Sequence, residues 1–390
     1  MSSHKNNLLI ITQKVDVNDP ILGFFVRWIA EFAKHCEKVT VICLEKGEYD
    51  LPDNVIVHSL GKELAEKGRS LRRSEATGKG ATLKEQAREK SLFKKIFFKM
   101  LYTIRFYKHI WHERKNYDTI FVHMNQEYVL LGGIFWKLFG KKIYMWRNHY
   151  SGSFITDIAS AFCAKVFCTS KYSYTAKYKK TVLMPVGVDT DKFIKFKSSK
   201  VHKINNSILF LGRIASSKKV DIFVEALGLL KKQGIDFLAD IYGDASPKDI
   251  PYFEKIKLRT QELGLKTILK FHDGVPNYQT PEIYNSHEIF VNLSSSGMYD
   301  KTIFEAMACE RLTLTSNLNL KGNIDEVFLF KENDEEDIAR QLVILLTLSP
   351  EEKRKLSGTL RAFVLSHHNL SLLGDRMRKY LRKLDNNRYL

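Results

Sequence analysis

Hydrophobic and polar positions alternate along the chain with two different periods. Short apolar runs, such as LLIIT at residues 8–12 and VTVICLE at residues 39–45, are typical of strands buried in a parallel sheet. Between them, FFVRWIAEFAKH places Phe24, Trp28, Ile29 and Phe32 on one face of a helix. Strand, loop, helix and strand in this order predict the opening of a doubly wound α/β domain.

The same alternation continues through the first half and then starts again. SILFLGR, FLADIYGD, ILKFHDGV and EIFVNLS predict four further strands beyond residue 206, with helical segments between them. The lysine-rich, polar stretch before SILFLGR predicts a linker. We therefore expect a first domain at residues 1–192, a linker at 193–206, a second domain at 207–370 and a terminal helix at 371–390.

The segment SSSGMYDKTIFEAMACERLTLTSN, residues 294–317, combines a small-residue loop, a helix and a strand. Asp300 is a good N-cap residue for the helix. Unpaired N–H groups and the positive dipole end at such a helix start hold phosphate well, and Ser296 and Gly297 would let a ligand approach closely. Glu305, one turn further on, is placed to bind a ribose diol. The alternative is an ordinary loop, helix and strand of an α/β domain.

Composition excludes some classes of protein. Hydrophobic residues make up 44% and aromatic residues 12% of the 390 residues, which excludes wholesale disorder. The five cysteines have no paired short spacing, so we predict core residues in a reducing compartment, without disulfides or a zinc site. Asp189 and Asp191 form a DxD string, but we reject a metal site there because no further acidic residue lies close in sequence.

Positive charge is concentrated in one part of the chain. The formal net charge is +18, and residues 61–115 alone hold sixteen Lys or Arg against six Glu. Residues 61–90 have few large apolar side chains, which predicts a mobile basic insertion. Residues 91–111 then predict a helix with one apolar stripe, listed as Phe93, Ile96, Phe97, Met100, Leu101, Ile104, Tyr107 and Trp111. Either this helix covers the sheet with a solvated basic back, or its exposed lysines and aromatics touch anionic lipid.

The start of the chain leads directly into the first predicted strand. MSSHKNN has none of the features of a secretory leader, and no apolar run approaches the roughly 18 residues needed to cross a bilayer. We therefore expect a cytoplasmic protein, either free or attached to the cytoplasmic face of a membrane.

Several motifs together resemble one enzyme family. LGRIASSKKVDIFVEAL, IYGD, MPVGVDTDKF and FEAMACERLTLTSN resemble the donor-binding segments of the retaining glycosyltransferases of family 4, glycosyl transferases group 1. The resemblance implies the GT-B fold: two Rossmann-like parallel-sheet domains facing a cleft, with a C-terminal helix crossing back to the N-terminal domain. It is strongest between residues 182 and 317 and is specific when the motifs are taken together.

The resemblance also assigns roles to residues. Arg213 and Lys218, with His149, would be catalytic, because cations stabilise the negative charge on a departing diphosphate and His149 would lie near the donor sugar. Gly23 and His123 would lie on the acceptor side, His123 and His149 each following a strand. The residues that would bind the donor are Gly212, Lys219, Gly243, Ser296, Gly297, Asp300, Lys301, Thr302 and Glu305.

Two positions depart from the family pattern. Gly297 stands where the family usually has a glutamate that contacts the donor sugar, and Lys219 stands where it often has glycine after the phosphate lysine. The first departure leaves Asp300 or the backbone near Gly297 to take over the sugar contact. The second adds a positive charge beside the pyrophosphate.

We therefore expect a retaining glycosyltransferase that needs no metal or cofactor. It would move a sugar from a nucleotide-diphosphate sugar to a glycan or lipid-phosphate acceptor in cell-surface polysaccharide or glycolipid synthesis, with an anionic membrane surface as a further partner. The alternatives are a sugar-nucleotide epimerase or phosphorylase of the same fold, and a basic nucleic-acid-binding protein. The latter lacks a recognisable recognition module, so we expect no nucleic acid partner. A nicotinamide dehydrogenase is disfavoured because no GxGxxG follows the first strand.

Overall fold

The computed structural model describes residues 7–64, 84–197 and 204–381, with side chains from residue 96 onward in the second range. Its strands are β1 (Leu8–Val15), β2 (Val39–Lys46), β3 (Val55–Ser59), β4 (Thr119–His123), β5 (Lys142–Trp146), β6 (Lys165–Cys168), β7 (Thr181–Leu183), β8 (Ser207–Leu211), β9 (Leu238–Tyr242), β10 (Leu269–His272), β11 (Ile289–Asn292) and β12 (Leu312–Thr315). Its helices are α1 (Phe25–Ala33), α2 (Lys84–His112), α3 (Gln126–Leu138), α4 (Phe154–Phe162), α5 (Val220–Lys232), α6 (Ile250–Glu262), α7 (Thr280–Ser286), α8 (Lys301–Ala308), α9 (Glu335–Thr347), α10 (Pro350–His367) and α11 (Leu370–Leu381).

Two sheets organise these elements. The first has the order β3-β2-β1-β4-β5-β6-β7 and the second the order β10-β9-β8-β11-β12. In the first, β1 pairs in parallel with β2 and β4; in the second, β8 pairs in parallel with β9 and β11. The predicted pair of Rossmann-like parallel sheets is confirmed.

Contacts divide the chain into two compact units. The first contains the residues up to Arg147, Ser153–Val166 and the residues from Met377 on; the second contains Asn148–Gly152 and Phe167–Arg376. The division therefore runs through α11, and His149 groups with the second unit. Within the first unit, the hydroxyl of Tyr144 donates to the backbone oxygen of Tyr380 at 3.1 Å.

Each unit has its own apolar core. Leu8, Leu9, Ile10 and Ile11 of β1 are completely buried, as expected for a strand covered on both faces. In the second unit, α5 and α8 bury their apolar faces on the second sheet, with Phe223, Leu227 and Phe304 inaccessible to solvent. These two buried cores provide rigid support for the loops at the carboxyl ends of the strands.

The basic region differs from its prediction. Residues 65–83 of the predicted insertion lie outside the described residues, but α2 begins at Lys84, seven residues before the expected end of the insertion. Lys, Glu, Gln, Ala and Arg are strong helix formers, and the low apolar content of KEQAREK concealed that preference.

The prediction of which α2 face covers the sheet was also wrong. The residues of the predicted stripe that lie exposed are Ile96, Phe97, Met100, Ile104, Tyr107 and Trp111. A second stripe is buried instead: Phe106 and Ile110 are inaccessible, and Tyr102 packs against the same core. The helix thus has two apolar faces, and hydrophobic periodicity alone favours neither of them for the core.

Candidate functional site

The candidate site lies in the second unit, where the start of α8 meets the loop after β8. Asp300 is the N-cap of α8, as predicted: its Oδ1 accepts from the backbone N–H of Thr302 at 3.4 Å and from the Thr302 hydroxyl at 3.1 Å. The cap satisfies one of the N–H groups that a helix start leaves unpaired. The carboxylate therefore fixes the geometry of this helix end.

The other carboxylate oxygen of Asp300 binds Lys218. The two form an ion pair, and the Ser294 hydroxyl lies 3.0 Å from Lys218 Nζ and 2.8 Å from Asp300 Oδ2. The Asn292 amide also donates to Oδ2, at 3.2 Å. We call these residues, with Thr302, the Lys218–Asp300 cluster. Burial alone would raise the pKa of Asp300, but the Lys218 charge and these hydrogen bonds bring it below its ordinary value.

Glycines let the loops after β8 and β9 approach each other. Gly212 donates its N–H to Tyr242 O at 3.0 Å, and Gly243 donates to His272 O at 3.0 Å. A Cβ on Gly243 would lie 1.9 Å from the Gly212 carbonyl oxygen, so no other residue fits there without moving the backbone. Arg213 follows this contact directly. Its side chain is exposed, and the described part of the chain offers it no hydrogen bond or ion pair.

Lys219 is held differently from Lys218. Its backbone is left-handed, with φ 53° and ψ 42°, a conformation that glycine adopts at little cost. Its side chain pairs with Glu332, a residue that the sequence reasoning did not select. The glycine expected from the family pattern at this position therefore matches the backbone, and the lysine in its place carries strain together with a charge.

Glu305 is buried and its oxygens have protein partners. With 1% of its surface exposed, it accepts from Asn277 Nδ2 at 3.0 Å and from the Tyr284 hydroxyl at 3.3 Å. Burial raises its pKa, against the opposing charge of Lys301. Asn277 and Tyr284 were missed by the sequence reasoning. The predicted ribose contact of Glu305 stays a prediction.

Lys301 lies on the same helix turn as Glu305. Its Nζ donates to the Gly187 carbonyl at 2.6 Å. Burial lowers its pKa to about 8, although Glu305 and Asp189 act in the opposite direction. A cation so close to its titration point can lose its proton in mildly basic solution.

Gly297 lies against Tyr150. A Cβ at position 297 would lie 2.0 Å from Tyr150 Cβ and 2.6 Å from Tyr150 Cα, so no side chain fits there. Tyr150 stacks on His149, with ring centroids 4.5 Å apart, and the His149 Nδ1 lies 2.8 Å from the Ser151 hydroxyl. Tyr150 thus fills the space that a residue larger than glycine would need. No local signal in the sequence could have identified this long-range contact.

A pocket of about 360 Å³ opens beside this contact. Tyr150, Leu318 and Tyr172 contribute half-exposed apolar surface, at 53%, 50% and 44% exposure, and Lys219 with Glu332 contributes the charged wall. The remaining lining residues are Ser217, Ser295, Ser296 and Gly297. Of the predicted donor residues the pocket thus brings together Lys219, Ser296 and Gly297, while Arg213, Lys218 and Glu305 are not part of its lining.

The two residues predicted on the acceptor side lie in the first unit. Gly23 closes the turn before α1, where a Cβ would lie 2.6 Å from Asp19 O. His123 is only 3% exposed: it stacks on Phe25 with centroids 3.9 Å apart, and its Nδ1 lies 3.4 Å from the Thr12 hydroxyl. A substrate role for either residue stays a prediction.

Within residues 7–64, 84–197 and 204–381, no group of three or more His, Cys, Asp or Glu is arranged to hold a metal ion. In the same ranges no helix combines the length and hydrophobicity that crossing a bilayer requires.

Comparison with known proteins gives the family resemblance. Residues 191–359 match the family described as glycosyl transferases group 1. Over 171 residues, 42% of this chain and 31% of the relative, the chain is 27% identical to the UDP-N-acetylglucosamine–peptide N-acetylglucosaminyltransferase GtfA subunit of Streptococcus parasanguinis. Over 145 residues, 35% of this chain and 32% of the relative, it is 25% identical to mannosylfructose-phosphate synthase of Agrobacterium fabrum. The chain thus spans about a third of the length of these curated relatives.

A solved structure supports the fold over nearly the whole chain. Anabaena HepE, crystallised in complex with UDP and glucose, superposes with a TM-score of 0.71 at 15% identity, covering 97% of this chain and 100% of HepE. The predicted resemblance to group 1 glycosyltransferases and the GT-B fold class are confirmed. The predicted enzyme class agrees with the matched family and with both curated relatives.

Proposed function

We propose that this protein is a glycosyltransferase that uses a nucleotide-diphosphate sugar, with UDP as the first nucleotide to test. The observation that supports it most directly is the arrangement around the start of α8: a capped helix end, a lysine pair and an exposed arginine, beside a pocket with two tyrosines. The helix end, both lysines and the arginine lie in the segment that matches the group 1 family, whereas Tyr150 and Tyr172 of the pocket lie before it in the chain. UDP is favoured because the S. parasanguinis relative is named for a UDP-sugar and HepE was crystallised with UDP.

In this proposal Arg213 is the principal cation for the diphosphate. Lys218 and Lys219 are each paired with a carboxylate, so part of their charge is already neutralised, whereas Arg213 has no partner in the described chain. As the sugar–phosphate bond breaks, negative charge grows on the leaving diphosphate, and a guanidinium can donate two parallel hydrogen bonds to it. Lys218 then acts mainly by holding Asp300 and the helix end in place.

The proposal also specifies the stereochemistry of the transfer, catalysis without a metal ion and the class of acceptor. We include retention of the anomeric configuration by front-side attack, which requires positioning and no carboxylate nucleophile. Arg213 and the N–H groups at the helix start would replace a divalent cation. The acceptor would be a glycan or a lipid-linked phosphate at the cytoplasmic face of a membrane, in cell-surface polysaccharide or glycolipid synthesis.

The direct test is thermal stabilisation by UDP-, GDP-, ADP- and TDP-sugars. A ligand that binds the folded state raises its melting temperature by mass action. We expect one UDP-sugar to stabilise the wild type and Arg354→Ala equally, because Arg354 is an exposed arginine on α10, distant in sequence from the site. Arg213→Ala should lose the stabilisation and, in a transfer assay, about 100- to 1000-fold in rate.

Four outcomes would change the proposal. Full stabilisation and full rate in Arg213→Ala would place the diphosphate elsewhere. Loss of activity in EDTA, restored by a divalent cation, would remove metal independence. Conversion of the sugar nucleotide without any acceptor would favour an epimerase, while release of the nucleotide with inverted product stereochemistry would remove retention.

A further inference from the structure

The first unit exposes an unusually apolar face on α2 and α3. Its members share high exposure: Leu138 is 80% exposed, Ile134 63%, and those on α2 between 42% and 58%. We call it the α2–α3 apolar surface; it consists of Ile96, Phe97, Met100, Ile104, Tyr107, Trp111, Ile134, Leu138 and Phe139. Single exposed apolar residues are normal on soluble proteins, but a continuous group of nine marks an interaction site.

Contacts join the two helices into one surface. The Trp111 ring lies 5.9 Å from Phe135 and 6.0 Å from Phe139, measured between centroids. The Tyr107 hydroxyl donates to the Leu131 carbonyl at 2.8 Å. The exposed stripe of α2 therefore continues onto α3, while the opposite stripe of α2, with Phe106 and Ile110, anchors the helix in the core.

The charges around this surface are almost all positive. Lys99, Lys108, Lys115 and Lys137 are exposed on or just after the two helices. The Arg114 guanidinium lies 4.3 Å from the centre of the Trp111 ring. Between residues 96 and 115 the one acidic residue is Glu113, which is 8% exposed, and α3 has one, the exposed Glu127 in its first turn. The face thus combines apolar side chains with lysines long enough to extend their ammonium groups away from it.

The combination of exposed apolar side chains and lysines favours one kind of partner for the α2–α3 apolar surface over another. A second copy of this chain would bring one set of lysines against another, which like-charge repulsion disfavours. An anionic bilayer provides acyl chains for the aliphatic residues, an interfacial layer for Trp111 and Tyr107, and lipid phosphates for the lysines.

We propose that the α2–α3 apolar surface binds a bilayer containing anionic phospholipid, with Trp111 at the depth of the headgroups. Binding would bring the enzyme to a lipid-linked acceptor; that consequence rests on the proposed function, whereas the bilayer contact rests on this surface alone. Helices of this kind lie in the interface without crossing the membrane.

Trp111 provides a direct readout. The chain has four tryptophans, and the other three, Trp28, Trp136 and Trp146, are at most 3% exposed, whereas Trp111 is 54% exposed. With the full-length protein and vesicles of phosphatidylcholine plus one-third phosphatidylglycerol, we expect co-sedimentation, a blue shift of tryptophan emission and protection from acrylamide quenching. Vesicles of phosphatidylcholine alone should bind far less, and added salt should weaken the binding. Trp111→Phe should abolish the shift but retain sedimentation.

Two matched double variants test whether the vesicle contact lies on the α2–α3 apolar surface. Phe97→Ala with Ile104→Ala should lower partitioning of the protein onto the vesicles at least about tenfold, because two side chains that the bilayer would bury are removed. Ile250→Ala with Leu258→Ala removes two side chains of 49% and 58% exposure from α6 and should leave binding unchanged. Equal loss in both pairs, equal binding to neutral vesicles, or concentration-dependent dimerisation without vesicle binding would each overturn the proposal.

The nucleotide-sugar stabilisation assay separates this proposal from the preceding one. A protein that binds UDP-sugar but no vesicles disproves only the bilayer contact. One that binds vesicles through α2 and α3 but no nucleotide sugar disproves only the glycosyltransferase assignment.

Discussion

The Lys218–Asp300 cluster holds charged side chains largely inside the protein, whereas the α2–α3 apolar surface holds apolar side chains in contact with water. In the cluster, the Lys218 and Asp300 side chains are only 16% and 15% exposed, and each finds a partner within the protein. On the surface, apolar side chains stay exposed to water within the part of the chain that the structure describes. Buried polar groups that have hydrogen-bond partners support a local geometry, whereas a group of exposed apolar side chains indicates a partner outside the chain.

The largest expected effect is a difference in stability between substitutions on the two faces of α2. Phe106 is inaccessible and Phe97 is 56% exposed, on the same helix. Phe106→Ala should destabilise the fold by about 3–5 kcal/mol, because it leaves a core cavity, whereas Phe97→Ala should stay within about 0.5 kcal/mol. Chemical denaturation of both variants measures the difference. Similar losses in the two would mean that Phe97 supports the fold, and the apolar surface would no longer point to a partner.

The next largest expected effect is a loss of stability when Asp300 of the Lys218–Asp300 cluster is replaced. Asp300→Ala removes the α8 cap and leaves Lys218 without its carboxylate, so we expect a loss of about 2–4 kcal/mol in the free energy of unfolding. Lys218→Met with Asp300→Asn, which keeps a capping side chain and removes both charges, should lose less than Asp300→Ala. If the double variant were the less stable one, the ion pair would be a net source of stability and the cap a minor one.

A smaller effect tests the contact between Gly297 and Tyr150. Gly297→Ala must push Tyr150 away and should cost about 1–3 kcal/mol, as overpacking does. Gly358→Ala is the matched control: it lies within α10 with nothing near its Cβ, and alanine there should stabilise by about 0.5–1 kcal/mol. Thermal denaturation compares the two. A neutral Gly297→Ala would show that Tyr150 moves freely.

The last effect is a pH dependence from Lys301. Its pKa is lowered from 10.5 to about 8 in the folded protein, so between those values the unfolded chain holds a proton that the folded chain has lost. Stability from this group therefore rises with pH across that window. Lys301→Met should remove the rise, so its stability relative to the wild type should fall from pH 8 to pH 10. Lys232→Met, at an exposed site on α5, is the control for replacing a lysine by methionine.

Local features were predictable from the sequence, and long-range ones were not. The α/β alternation and the Asp300 cap follow from hydrophobic period and capping chemistry, which involve neighbouring residues. The partners of Glu305, the pairing of Lys219 with Glu332 and the position of Tyr150 against Gly297 join residues distant in sequence. The face of α2 was undecidable for another reason: both of its stripes are apolar, so periodicity alone could not assign one to the core.

The contact between Gly243 and the Gly212 carbonyl has a consequence for any mutational survey. Position 243 bears no side chain, yet any residue with a Cβ there must displace the turn that carries Arg213. Such variants would fold and still lose turnover, and a screen scored by activity would count this glycine among the reacting groups. Amide hydrogen exchange of the turn at residues 212–213, measured beside turnover, would show the displacement and identify Gly243 as a spacer, whose contribution is the room it leaves empty.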